Sequence, residues 1–125
     1  MRDVLKILTV EDERAVAHFL ALVLGGPTCK VTSAADGEEA LAKIGKTARS
    51  FDVVITDHKM PRVSGLELVR QLRARNFAGK IIVLSAHLTE KNVQAYQELS
   101  VDMMISKPFD VDELRQAIGV LAVAA

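Results

Sequence analysis

FDVVITDHKMP, residues Phe51 to Pro61, is an apolar run that stops abruptly on Asp57 and then turns. Phe51, Val53, Val54 and Ile55 are β-branched or aromatic and leave almost no polar alternation. That pattern suits a strand buried on both faces, as in a parallel sheet. In an open α/β sheet, ligands bind outside the carboxyl ends of such strands, so Asp57 stands where function is expected. Aspartate is also a common turn residue, and on this stretch alone a turn role stays open.

Upstream of this run, Val4 to Val10 reads as a first strand whose end meets Glu11 and Asp12. From Glu13 the period changes. Val16, Phe19, Leu20, Val23 and Leu24 recur at helical spacing until Gly25-Gly26-Pro27 stops them. Thr28 to Ser33 is a short second strand, and Ala35-Asp36-Gly37 is turn chemistry leading into a helix from Glu38 to Lys46 that buries Ala40, Leu41 and Ile44.

Downstream, Met60-Pro61 and Gly65 precede a helix from about Leu66 to Asn76. Leu68, Val69 and Leu72 face inward there, and Arg70, Arg73 and Arg75 read as a solvated face. Lys80 to Leu84 is a fourth buried strand ending on Ser85, Ala86 and His87. Thr89 to Leu99 is the least amphipathic helix, with only Val93, Tyr96 and Leu99 as anchors, and is expected to be weakly held and mobile. Val101 to Ile105 is the fifth strand, closed by Lys107-Pro108. Asp110 then caps a last helix through Val111, Leu114, Ile118 and Leu121. Strand and helix alternate five times, which gives an α/β parallel sheet with helices on both faces.

The chain of 125 residues has the size of one ordinary domain and can bury a core without disulfides or structural metal. One domain over residues 1–125 is the expectation. Sixteen basic and sixteen acidic side chains balance to zero, so nothing points to direct nucleic-acid or anionic-membrane binding. The single Cys29 cannot form an internal disulfide and reads as a buried thiol in a reducing compartment. The amino terminus is too poor in apolar residues for a signal peptide, and no stretch approaches the roughly 18 apolar residues of a membrane span. A cytoplasmic protein is expected.

Five parallel strands place their ends on one edge: Glu11 and Asp12 after the first, Asp57 after the third, Ser85 after the fourth and Lys107 after the fifth. Three crowded carboxylates repel one another unless a cation sits among them, and an all-oxygen site of this kind suits Mg²⁺. A lysine and a hydroxyl nearby are what an added phosphoryl group needs for charge and hydrogen bonding. Each residue also has an ordinary reading. The two acids can open the first helix, Lys107 can be solvated, and Ser85 can be a turn hydroxyl. All of these would have to hold together at one sheet edge.

The motifs LTVEDE (Leu8 to Glu13), VVITDHKMPRVSG (Val53 to Gly65), IIVLSA (Ile81 to Ala86) and ISKPF (Ile105 to Phe109) resemble, in this order, the receiver domain of bacterial two-component response regulators. The resemblance covers essentially the whole chain. It implies a flavodoxin-like five-stranded sheet of order 2-1-3-4-5. It implies that Asp57 accepts a phosphoryl group from a phosphohistidine on a sensor histidine kinase or a histidine phosphotransfer protein. Glu11, Asp12, Asp57 and the backbone carbonyl of Lys59 would hold Mg²⁺, with Mn²⁺ as a substitute, and Lys107 and Ser85 would contact the phosphoryl oxygens. Ser85, Ala86 and Met104 would form the switch, moving the face of the fourth helix, fifth strand and fifth helix. A downstream effector or fused output domain would read it.

The resemblance also implies a signalling domain that assists its own phosphorylation and dephosphorylation, not an enzyme in the ordinary sense. Met104 departs from the family, which usually has Tyr or Phe three residues before the lysine; methionine can repack without a two-position swing. Three rivals share part of the pattern. A Mg²⁺-dependent aspartyl phosphohydrolase generally needs a second acid two residues after its nucleophile, where Lys59 stands. A flavin or nucleotide binder would need a Gly-rich loop after the first strand. A degenerate receiver acting only in docking would have lost some of the acids, hydroxyl and lysine that are all present.

Overall fold

The computed structural model describes residues 4–45, 50–86 and 88–124. The elements run β1 (Leu5–Val10), α1 (Arg14–Leu24), β2 (Cys29–Ala34), α2 (Gly37–Ile44), β3 (Val53–Thr56), α3 (Gly65–Ala74), β4 (Lys80–Ser85), α4 (Glu90–Glu98), β5 (Met103–Ser106) and α5 (Val111–Ala124). All five strands pair in parallel in the order β2-β1-β3-β4-β5. The family resemblance implied this order, and the alternating elements implied the parallel sheet.

Because strand side chains alternate, each strand feeds two cores. Leu8, Val10, Val54, Ile81 and Val83 point to one face, against Leu68, Val69 and Leu72 of α3 and Tyr96 of α4. Ile7, Val53, Ile55, Ile82 and Leu84 point to the other, against Leu20 of α1 and Leu114 of α5. All four residues of β3 are buried, as its unbroken apolar run requires at the centre of a two-faced sheet. Phe51 stays outside the strand and packs half-buried on the α3 side.

Asp110 caps α5 as expected, its Oδ1 accepting the Asp112 N–H at 2.8 Å. Phe19 of α1 is 44% exposed, its ring tilted 6.4 Å from that of Phe109. Two expectations are corrected. Cys29 is only half-buried, because β2 is an edge strand with one flank uncovered. Arg73 and Arg75 do not form a merely solvated face. Arg73 donates to the carbonyls of Leu99 and Ser100 at 2.8 and 2.7 Å, and Arg75 to those of Leu41 and Gly45 at 3.2 and 2.8 Å. Each guanidinium thereby closes the carboxyl end of a neighbouring helix, where orphan carbonyls need donors. The expected helix end at Lys46 and the strand-end residue His87 lie outside the described residues, as does the side chain of Leu121.

Candidate functional site

Parallel pairing brings the carboxyl ends of β1, β3, β4 and β5 to one edge. The ladder runs on past the strands: Glu11 N–H donates to Ala34 O and Asp57 N–H to Val10 O, both at 3.0 Å. The two acids are thus held by main-chain bonds before their side chains are considered. Glu11 is 4% exposed and Asp57 9%, whereas Asp12 is exposed. One carboxylate oxygen from each of the three lies within 4.8 Å of the others.

Lys107 reaches into this cluster from the end of β5. Its Nζ donates to Glu11 Oε1 at 2.9 Å and lies 3.4 Å from Asp57 Oδ2. The Lys107 N–H also donates to Ser85 O at 3.0 Å, which ties the β4 and β5 ends together, and the Lys107–Pro108 peptide is cis. Burial alone would lower the Lys107 pKa. The hydrogen bond to Glu11 and the charges of Asp57 and Glu11 outweigh it and hold the ammonium above its usual range. Glu11 is pushed upward by burial, which outweighs the hydrogen bonds from Lys107 and the Glu13 N–H. Lys107 reaches only two of the three crowded acids, which leaves the set short of positive charge.

The donor set is all oxygen, two buried carboxylates and one exposed, which fits a hard divalent cation that keeps part of its water shell. The site opens into a cavity of about 470 Å³ lined by Asp12, Asp57, Lys59, Met60, Ala86 and Lys107, among others. Of the sequence-derived candidates, Glu11, Asp12, Asp57 and Lys107 come together around the carboxylates. Lys59 and Ala86 line the cavity. Ser85 is fully buried at the end of β4. Met104 stands apart, half-buried against the core cluster on the α4 side of the sheet.

Two residues that the sequence reading did not place in the site adjoin it. His58 donates its N–H to Asp57 Oδ1 at 2.7 Å, and its ring Nδ1 lies 2.6 Å from Tyr96 Oη in a hydrogen bond. The two rings meet edge to face, with centroids 5.6 Å apart and planes at 78°. His58 sits next to Asp57 in the chain, but no spacing rule links it to a residue 38 positions on. The only signal was a tyrosine among the few anchors of α4.

The family model of the response regulator receiver domain matches residues 7–119. The response regulator ArlR of Staphylococcus saprophyticus is 35% identical over 109 residues, covering 87% of this chain and 48% of that protein. The alkaline phosphatase synthesis transcriptional regulatory protein SphR of Synechococcus elongatus is 35% identical over 116 residues, covering 87% of this chain and 45% of that protein. The chain thus spans about half the length of these curated relatives. The structure of chemotaxis protein CheY4 from Vibrio cholerae superposes with a TM-score of 0.84 at 29% identity, covering 94% of this chain and 98% of the other.

Proposed function

The chain belongs to the response regulator receiver domain family, and from that premise we propose that it accepts a phosphoryl group on Asp57. The donor would be a phosphohistidine on a sensor histidine kinase or a histidine phosphotransfer protein. The observation that carries the reading is the convergence of Glu11, Asp12 and Asp57 within 4.8 Å, with Lys107 on two of them. A receiver filling residues 1–125, working in the cytoplasm and read by an effector or a fused output domain, is part of the same proposal.

In the transfer, a carboxylate oxygen of Asp57 attacks phosphorus while the P–N bond of the phosphohistidine breaks and its electron pair stays on the imidazole nitrogen. Glu11, Asp12, Asp57 and the Lys59 carbonyl would hold Mg²⁺ or Mn²⁺. When bound, the ion supplies the positive charge that offsets the phosphoryl oxygens. Lys107 already lies 3.4 Å from Asp57 Oδ2, so its ammonium needs only a short swing from Glu11 to meet a phosphoryl oxygen on Asp57. Ser85 would hydrogen-bond another oxygen, drawing Ala86 and the following loop inward. The product is a mixed anhydride on the protein itself, so the role is that of a signalling acceptor and not of a turnover enzyme.

The test is covalent. With Mg²⁺ and acetyl phosphate, intact-mass spectrometry should find one added phosphoryl group, removed by hydroxylamine and absent from Asp57→Asn. An adduct that persists in Asp57→Asn would overturn the assignment.

A further inference from the structure

Met104 leaves the family's usual aromatic position without a ring, yet an aromatic side chain does stand between Asp57 and α4. Tyr96 is the largest fully buried side chain among the described residues and the one fully buried residue of α4. Its hydroxyl is in a 2.6 Å hydrogen bond with the ring of His58, the residue that follows Asp57.

His58 is held from both sides. Its N–H is on Asp57 Oδ1 at 2.7 Å, and its carbonyl accepts the Gly65 N–H at 2.8 Å. His58 is thus tethered at its N–H, its carbonyl and its ring Nδ1, so a displacement of the Asp57 carboxylate that shifts its backbone bears on the hydrogen bond to Tyr96. Gly65 leaves the space the pair needs, since a Cβ there would collide with Asp57 O and lie 2.9 Å from His58 Cα and 3.0 Å from Tyr96 Oη.

We infer that the His58–Tyr96 hydrogen bond is the mechanical link that carries a change at Asp57 to α4, with Tyr96 as a positioning residue standing in for the aromatic missing at Met104. The link rests on the phosphoacceptor reading of Asp57. It uses three contacts in series: carboxylate to backbone N–H, imidazole to phenol, and phenol ring to the core beneath α4. Burial, followed by the negative charge of Asp57, raises the Tyr96 phenol well above its usual pKa, so it stays a neutral partner and already senses that charge. Met104 packs partly buried against the same cluster and can yield to a shifting ring.

The experiment compares amide hydrogen exchange across Glu90–Glu98 with and without beryllofluoride and Mg²⁺, in the unaltered chain and in Tyr96→Phe. Bound ¹⁹F resonances report whether the site is filled. Beryllofluoride should change α4 exchange in the unaltered chain, and in Tyr96→Phe the with-to-without ratio should fall by about fivefold, the worth of one net hydrogen bond. A merely structural hydroxyl would speed exchange in both states and leave the ratio alone. His58→Ala removes the other partner and should produce the same fall, which covers the case of a Tyr96→Phe chain that folds poorly. Bound fluoride together with an undiminished ratio in the folded variants, or no α4 response in the unaltered chain, overturns the link and leaves Asp57 standing. No bound fluoride in the unaltered chain overturns both.

Discussion

The helices α3 and α4 lie on the same face of the sheet, run for ten and nine residues, and are finished alike at both ends. Ser64 and Thr89 cap their starts, each accepting a backbone N–H three residues on at 3.2 Å. Both close with a residue in the left-handed conformation, Asn76 at φ 57° and Ser100 at φ 58°, and with matching return bonds, Phe77 N–H to Leu72 O and Val101 N–H to Tyr96 O. They differ in what they bury. Leu68, Val69 and Leu72 of α3 are each fully buried, together worth on the order of 6 kcal/mol. Tyr96 alone is fully buried in α4, with Val93 half-buried beside it. The end caps are therefore alike, and the tertiary anchorage is not. The helix with more buried anchors follows the loop that carries Asp57; the one with fewer follows Ser85.

The largest effect that can break this contrast is a truncation on each helix. Leu68→Ala should cost about 3 kcal/mol in urea unfolding, whereas Val93→Ala should cost less than about 1 kcal/mol. Equal losses would mean that α4 is as firmly docked as α3.

A smaller effect sharpens the contrast at the point where α3 meets the site. Gly65→Ala forces a Cβ against Asp57 O and should cost about 1–3 kcal/mol. Gly119→Ala, on α5 with nothing within 4 Å of the added atom, should stabilise the chain by up to about 1 kcal/mol through helix propensity. Thermal unfolding of the two variants measures both, and a Gly65→Ala chain as stable as the parent would remove the claim that α3 is fitted closely to Asp57.

Much of this was legible beforehand because it rests on short-range pattern. The unbroken apolar run at Val53 to Ile55 specified a strand buried on both faces, and five strand–helix alternations left a parallel sheet as the arrangement to expect. Once the strands were parallel, Glu11, Asp12, Asp57, Ser85 and Lys107 had to share an edge. What stayed hidden depends on long-range contact. That Lys107 would choose Glu11 over Asp57 as its nearer partner depends on where the end of β5 delivers its ammonium. Arg73 and Arg75 looked solvated because nothing in their own helix showed which carbonyls lay across from them. Cys29 looked buried because the residues around it carry no mark of an open flank, which only the strand order supplies. Tyr96 read as an apolar anchor, and its hydroxyl acquired a partner only when α4 was laid over the loop after β3.

The central claim is that chemistry at Asp57 is built beside a helix that stays and is read through a helix that yields. Amide chemical shifts across α3 and α4, followed as beryllofluoride and Mg²⁺ fill the site, test it most directly. The account predicts large changes throughout Glu90–Glu98 and small ones at Leu68, Val69 and Leu72. Changes confined to the immediate neighbours of Asp57, or as large in α3 as in α4, would contradict it.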